Sequence, residues 1–169
     1  MSLRLSRLLA QLCAGDPGAS IAWPTSSEAL TRGVRIQASA SFDAAASDPA
    51  KGRWQWTYRV KISNESAHTL QLLSRHWVIV EKSGLVAEVG PKAPGVLGQQ
   101  PILRPGESFA YSSACPLSCE AGTLHGSLEM KILEPAELHG RRFEAEIGRF
   151  GLATEGDEVL MPIVIHEAL

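Results

Sequence analysis

The chain has 169 residues, the size of one ordinary domain, and is long enough to bury a hydrophobic core without disulfide or metal staples. Its hydrophobic fraction of 44% and charged fraction of 20% are those of a globular protein, and a formal net charge of -2 gives no electrostatic case for binding nucleic acid. No stretch approaches the run of about 18 apolar residues that a membrane-spanning helix needs, so we expect no membrane span.

The N-terminal segment differs in character from the rest of the chain. Leu5, Leu8, Leu9 and Leu12 fall on one helical face, and no acidic residue precedes Asp16. The pattern predicts a short helix docked on the domain or a frayed end, with a mitochondrial transit peptide as the alternative. Residues 15–27 are rich in Gly, Pro, Ser and Thr, which is typical of a linker. We assign residues 1–30 to an N-terminal extension and linker, and residues 31–169 to one domain.

Two strands with one buried and one solvated face follow the linker. Apolar residues alternate with polar ones from Val34 to Phe42 and again from Trp54 to Ile62. Residues 43–52 separate them as a loop, and residues 64–66 end the second strand as a turn. We expect the two strands to pair.

Six further strands complete the predicted architecture. Residues 70–82 are apolar and rich in β-branched side chains, and a turn at residues 82–84 leads to a strand at 85–89. Prolines and glycines exclude a helix from residues 90–106, which we predict to be a long loop. The last four strands are expected around residues 109–111, 124–132, 143–147 and 159–165, the final one broken by Pro162 as an edge strand would be. Such a count without helical crossovers predicts an all-β, immunoglobulin-like sandwich of seven to eight antiparallel strands.

Several motifs in order resemble the ApaG family. They are residues 89–101 (VGPKAPGVLGQQP) and 103–107 (LRPGE), with 58–64 (YRVKISN) and 72–77 (LLSRHW) upstream and 122–126 (GTLHG) downstream. The resemblance covers roughly residues 31–166. It implies a fibronectin type III-like or immunoglobulin-like sandwich that mediates protein contacts in eukaryotic members. Bacterial members are linked to cobalt and magnesium efflux.

The glycine-rich loop of the ApaG family carries a Gly-x-Gly-x-x-Gly pattern that suggests phosphate binding. In this chain Gly95 and Gly98 match the last two glycines, whereas Ala93 stands at the first position. A dinucleotide-binding loop leads into a helix whose N-terminus holds the pyrophosphate, and Pro101 and Pro105 forbid that helix. We interpret the loop as structural, with phosphate binding in a glycine-lined nest as the alternative.

The candidate catalytic and metal-binding groups are sparse. Cys115 and Cys119, with His125 close behind, leave a tetrahedral zinc site short of a ligand, so we expect two ordinary thiols. Together with Cys13 they are an odd number without a disulfide framework, which favours an intracellular, cytoplasmic protein; the transit-peptide alternative would make it mitochondrial. No nucleophile motif occurs, and the five histidines fall in unrelated contexts. We expect a protein that is not an enzyme and needs no cofactor.

The most suggestive surface group pairs an arginine with an aromatic residue. Arg75 and Trp77, with Arg59 one strand earlier, have the composition of a binding hot spot. We favour the other interpretation, a buried Trp77 with Arg75 packed over its sheet, because sandwich cores commonly contain such a tryptophan. Unpaired sheet edges offer another surface. The candidate interaction surface comprises Arg75, Trp77, Gly95, Gly98, Gln99, Pro101 and Tyr111.

The leading prediction is therefore a non-enzymatic module that binds another, unidentified protein. The alternative is a small-ligand or ion-responsive protein that binds a phosphate-containing molecule, a nucleotide or a divalent cation.

Overall fold

The structure, a computed structural model, describes residues 19–163, apart from the side chains of residues 91 and 92. Eleven strands follow one another in this range: β1 Ser20–Pro24, β2 Ser26–Thr31, β3 Val34–Phe42, β4 Trp54–Asn64, β5 Thr69–Glu81, β6 Val86–Pro94, β7 Ile102–Leu103, β8 Ser108–Leu117, β9 Gly122–Glu134, β10 Arg142–Leu152 and β11 Glu158–Pro162. Two single-turn 3₁₀ helices lie at Pro49–Lys51 and Ala136–Leu138. No helix of the described residues is long and apolar enough to cross a membrane.

Two antiparallel sheets form a β-sandwich. One sheet has the strand order β2-β3-β4-β8, and the other has the order β10-β9-β5-β6 with β7 paired to β5. The strands β1 and β11 form a separate two-stranded ribbon, which packs over a small cluster containing Ala121, Val159 and Met161. The predicted all-β sandwich is thus confirmed, and β3 pairs with β4 as expected.

The core lies between the two sheets because every second side chain of each strand points inward. On β4, Trp56 and Val60 are fully buried, while the intervening Arg59 faces solvent. Fully burying side chains of this kind stabilises the fold by about 2–3 kcal/mol each. The indole N–H of Trp56 donates to the Ala153 carbonyl over 2.8 Å, so the one polar atom of this side chain is satisfied.

All eight predicted strands are present, and three further strands were not predicted. The linker prediction is wrong for the described part of residues 15–27, because Ser20–Pro24 pairs with β11 and Ser26–Thr31 pairs with β3. The loop prediction for residues 90–106 is wrong at both of its ends. β6 continues to Pro94 through an irregularity in its pairing with β5, and Ile102–Leu103 forms β7. The predicted N-terminal helix and residues 164–165 of the predicted last strand lie outside the described residues.

The two lateral sides of the sandwich differ. On one side the edge strands β2 and β10 are joined: the Ser27 hydroxyl donates to the Gly148 carbonyl over 2.6 Å, and the Glu146 amide donates to the Thr31 hydroxyl over 3.1 Å. On the other side, β6 and β8 end their sheets, and no hydrogen bond joins them within residues 19–163. We call the side between β6 and β8 the open side.

Candidate functional site

A cleft of about 210 Å³ lies between the sheets at the open side. Val89 of β6 and Leu97 of the following turn form one rim, and Ser113 and Ala114 of β8 form the other. Behind them lie the buried rings of Tyr58, Trp77 and Tyr111 and the partly buried side chain of Arg75. The cleft is therefore bordered by both free sheet edges.

An irregularity in β5 turns Arg75 toward the cleft. Leu70 and Leu72 face the core before it, and Trp77 faces the core after it, so the inward phase changes from even to odd residues. The change coincides with a register shift between Leu72 and Ser74 in the pairing with β9. A bulge of this kind re-aims the side chains that follow it. Without it, the alternation would place Arg75 on the outer face of the sheet.

The guanidinium of Arg75 makes hydrogen bonds to backbone carbonyls only. Its Nη1 donates to the carbonyl oxygen of Gly95 over 2.8 Å and more weakly to that of Pro94 over 3.3 Å. Arg75 has no ion pair among the described residues, and no acidic side chain lines the cleft. The cleft therefore carries an uncompensated positive charge.

A tight turn holds Leu97 at the rim of the cleft. Val96 and Gln99 exchange two backbone hydrogen bonds of 2.9 Å, and the two central residues have φ values of 47° at Leu97 and 74° at Gly98. Positive φ at both central positions is the type I′ pattern, which costs a residue with a side chain about 1 kcal/mol. Val96 is fully buried and anchors the turn, whereas Leu97 is 61% exposed. The fold thus holds a large apolar side chain in solvent beside the cleft.

Gly95 is required at its position by close backbone contact. Its φ is 53°, and a Cβ atom there would lie 2.1 Å from the carbonyl oxygen of Gln99. The amides of Gly95, Val96 and Gln99 already donate to protein carbonyls, so few N–H groups of the turn are left to cradle a phosphate. The geometry supports a structural role for the loop, and phosphate binding stays a prediction.

Two of the predicted surface residues are core residues. Trp77 is 2% exposed and packs edge-on against Tyr58 and Phe150, with ring centroids 5.2 and 6.2 Å away. Tyr111 is also buried, and burial raises the pKa of its hydroxyl well above the ordinary value, an effect that the nearby Trp77 indole only partly offsets. Neither the Trp77 Nε1 nor the Tyr111 hydroxyl has a hydrogen bond of regular geometry. The favoured expectation of a buried Trp77 is confirmed, whereas Tyr111, expected on the candidate surface, points inward from its strand.

The remaining predicted residues are divided between the turn and its support. Gly98 and Gln99 are exposed in the turn, and the Pro101 carbonyl accepts a hydrogen bond of 3.0 Å from the Leu72 amide on β5. Arg59 does not join Arg75, because β4 and β5 belong to different sheets and Arg59 faces outward. The candidate surface is thus reduced to Arg75 and the turn.

The two rims of the cleft were not predicted from the sequence. Leu97 sits between Val96 and Gly98 in a sequence that predicts a turn but not which apolar side chain it exposes. Ser113 and Ala114 lie on a predicted strand, but their position at a free edge depends on the strand order. The signal that could have indicated the rim is the leucine between turn residues, where apolar side chains are uncommon.

The cysteines do not form a metal site with the described residues around them. Cys115 lies inside β8, and burial raises the pKa of its thiol to about 12. Cys119 lies beyond the strand, where its thiol donates to the Ala121 carbonyl over 3.2 Å. Within residues 19–163, no group of three His, Cys, Asp or Glu side chains is arranged to hold a metal ion.

Known proteins resemble this chain over most of its length. The family model for the ApaG domain matches residues 44–132. The Protein ApaG of Brucella canis is 41% identical over 124 residues, which are 73% of this chain and 90% of that protein, and the Protein ApaG of Brucella anthropi is 40% identical with the same coverage. The crystal structure of an ApaA protein from Bordetella pertussis superposes with a TM-score of 0.65 at 36% identity, covering 71% of this chain and 92% of that one. The chain belongs to the ApaG family.

Proposed function

We propose that this protein is a non-enzymatic interaction module that binds an extended segment of another protein as an added strand on β8. The observation that carries the proposal is the open side, where the free edge of β8 runs beside exposed apolar side chains. A strand edge supplies main-chain hydrogen bonds to a partner strand, and neighbouring pockets select its side chains. The cysteine content favours a partner inside the cell, and a cytoplasmic location stays a prediction.

Within the described part of the chain, one edge of β8 has a row of backbone groups that pair with no other strand. The Asn64 amide donates to the Glu107 carbonyl over 2.9 Å, which sets the phase of the pairing between β4 and β8. Because bonded and non-bonded pairs alternate in an antiparallel ladder, the odd-numbered residues of β8 bond to β4. The amides and carbonyls of the even-numbered residues from Ser108 to Ala114 face the free edge. Pro116 is also even-numbered, so the N–H that proline lacks would face the free edge, and the pairing with β4 is intact.

The opposite rim supplies apolar contacts for such a segment. Leu97 is 61% exposed and Val89 is 39% exposed, and both line the cleft beside β8. An added strand on β8 would place every second side chain toward this rim. The free edge and the apolar rim would then contact the same segment. The closed side of the sandwich offers no such arrangement, since β2 and β10 are hydrogen-bonded there.

Peptide selection with a proline substitution tests the proposal. A library of random dodecapeptides is selected on the immobilised protein, and the affinity of an enriched peptide is measured by fluorescence anisotropy. Ser112→Pro removes an edge amide that bonds to no other strand, so we expect at least about tenfold weaker binding with little change in melting temperature. Ser112→Ala is the matched control, because it retains the amide and should bind as the unmodified protein does.

Two results would contradict the proposal. One is a selection that enriches no peptide. The other is an enriched peptide whose affinity is the same for Ser112→Pro and Ser112→Ala, because the binding would then not use the edge of β8.

A further inference from the structure

We infer that the cleft at the open side is a carboxylate site, in which Arg75 binds an acidic side chain of the segment added to β8. The inference rests on the proposed function and specifies the chemistry of its partner. It follows from three features of the cleft: a cation without an ion pair, aromatic donors without a hydrogen bond of regular geometry, and a volume that suits a single side chain.

Arg75 forms no ion pair with the described residues, whereas Arg35 and Arg142 do. Arg35 lies between Glu28 and Glu65 on the outer face of its sheet, and Arg142 pairs with a carboxylate over 3.1 Å. Arg75 instead lines the cleft between the sheets, and within residues 19–163 its hydrogen-bond partners are two backbone carbonyls, both bound by Nη1. Coulomb interactions are stronger in such partly desolvated positions than on the surface. The remaining guanidinium donors match the geometry of a carboxylate.

The other polar groups around the cleft favour an anion over a cation. The indole N–H of Trp77 can only donate, and it lies close to the Tyr111 hydroxyl without forming a hydrogen bond of regular geometry to it. Among residues 19–163, no acidic side chain lines the cleft to hold a cation. A negatively charged group close to Arg75 is therefore the ligand that this lining stabilises best.

The volume of the cleft indicates one side chain rather than a free nucleotide or cofactor. Its volume of about 210 Å³ lies below the roughly 300–1,000 Å³ of sites that enclose small-molecule ligands. Side chains of an added strand reach the inner face at every second position. We therefore expect an Asp or Glu in the segment, with apolar residues two positions away that contact Leu97 and Val89.

A double-mutant cycle between protein and peptide tests the assignment. The probe is a peptide selected from the dodecapeptide library and its counterpart with the enriched Glu or Asp replaced by Gln or Asn. On the unmodified protein we expect the amide peptide to bind about tenfold more weakly, and the difference to shrink as salt is added. On Arg75→Gln we expect the two peptides to differ by less than about twofold, because the charge that distinguishes them is absent.

Arg59→Gln is the matched control. Arg59 is an exposed arginine on the outer face of the opposite sheet, so its loss should leave the preference for the acidic peptide intact. Because Arg75→Gln also removes the bond to the Gly95 carbonyl, its melting curve is recorded in parallel. The comparison of the two peptides on the unmodified protein requires no substitution and decides the question if Arg75→Gln fails to fold.

The outcomes separate this inference from the proposed function. Two results would overturn the carboxylate site but not strand addition on β8. One is that the enriched peptides contain no acidic residue. The other is that the peptide binds equally well when its Glu or Asp is replaced by Gln or Asn. A preference for the acid that persists in Arg75→Gln would also overturn the carboxylate site. A library that yields no peptide, or binding that is insensitive to Ser112→Pro, would overturn both.

Discussion

Alanine at two glycines of the same turn should destabilise the protein to different degrees. Gly95 and Gly98 both have positive φ, at 53° and 74°. They differ in the space around them: a Cβ at Gly98 meets nothing within 4 Å, whereas a Cβ at Gly95 would lie 2.1 Å from the backbone oxygen of Gln99. The pair therefore separates the cost of the backbone conformation from the cost of close contact.

The expected magnitudes follow from these two terms. A left-handed conformation destabilises a folded alanine residue by about 1–2 kcal/mol. Alanine also lowers the conformational entropy of the unfolded chain, which offsets part of that destabilisation. Gly98→Ala should therefore lower the free energy of unfolding by about 1 kcal/mol. Gly95→Ala adds a clash with backbone, for which overpacking costs of about 1–3 kcal/mol are usual, giving a total of about 3 kcal/mol. In a chain of this size, these values correspond to losses in melting temperature of about 2–4 °C and 6–12 °C.

Thermal unfolding followed by circular dichroism measures both variants against the unmodified protein. We expect Gly95→Ala to melt clearly below Gly98→Ala. Equal losses would refute the reasoning, because they would mean that the turn rearranges around the new Cβ without cost. An unchanged melting curve for Gly98→Ala would refute the assignment of positive φ there.

Three further predictions concern the core and its ionisable groups. Trp56→Phe removes a fully buried indole and its hydrogen bond, and should cost about 2–3 kcal/mol in urea denaturation. Burial of Glu81 disfavours its charged form, but hydrogen bonds from Ser118 outweigh that effect and hold the pKa of the carboxyl below its ordinary value. Its contribution to stability is therefore present at neutral pH and lost as the pH falls below about 4.5, so Glu81→Gln should be less stable at pH 7 and lose less stability on acidification. In native protein at pH 8, peptide-level mass spectrometry should find Cys119 alkylated by iodoacetamide much faster than Cys115, with the difference abolished in urea.

The strands that were easiest to predict from the sequence are those in which large apolar side chains alternate with polar ones. On β4, Trp56, Tyr58 and Val60 alternate with Thr57 and Arg59, so one face is apolar and one polar in any fold that buries a sheet. β5, in contrast, was predicted from its apolar, β-branched composition, and β6 from the turn that precedes it. The order of the strands could not be derived in this way, because it depends on contacts between distant parts of the chain.

The strands β1 and β2 could not be predicted because their own residues carry little pattern. The segment Ser26–Thr31 buries no side chain fully. It is attached by its pairing with β3 and by two hydrogen bonds to β10, one between Ser27 and Gly148 and one between Thr31 and Glu146, both more than 100 positions apart in the sequence. A strand held by its neighbours rather than by its own apolar face resembles a linker in composition. Tertiary context overrides local propensity in such segments.

The candidate site was predicted in part, and the bulge in β5 explains the rest. Arg75 and the turn around Gly95 and Gly98 do meet, as the grouping of these residues anticipated. A strict period of two, however, cannot show that Arg75 points between the sheets, since the register shift changes which residues face inward. Nor could composition show that Leu97 would be exposed, because that depends on the left-handed turn.

Hydrogen exchange along β8 tests the central claim most directly. In the free protein, the amides of the odd-numbered residues from Phe109 to Ser113 bond to β4 and should exchange slowly, whereas those of the even-numbered residues from Ser108 to Ala114 face the free edge and should exchange quickly. Addition of a selected peptide at saturating concentration should slow the even-numbered amides, because they gain partners on the added strand. Even-numbered amides that still exchange quickly in the complex, with protection appearing elsewhere in the protein, would contradict the account.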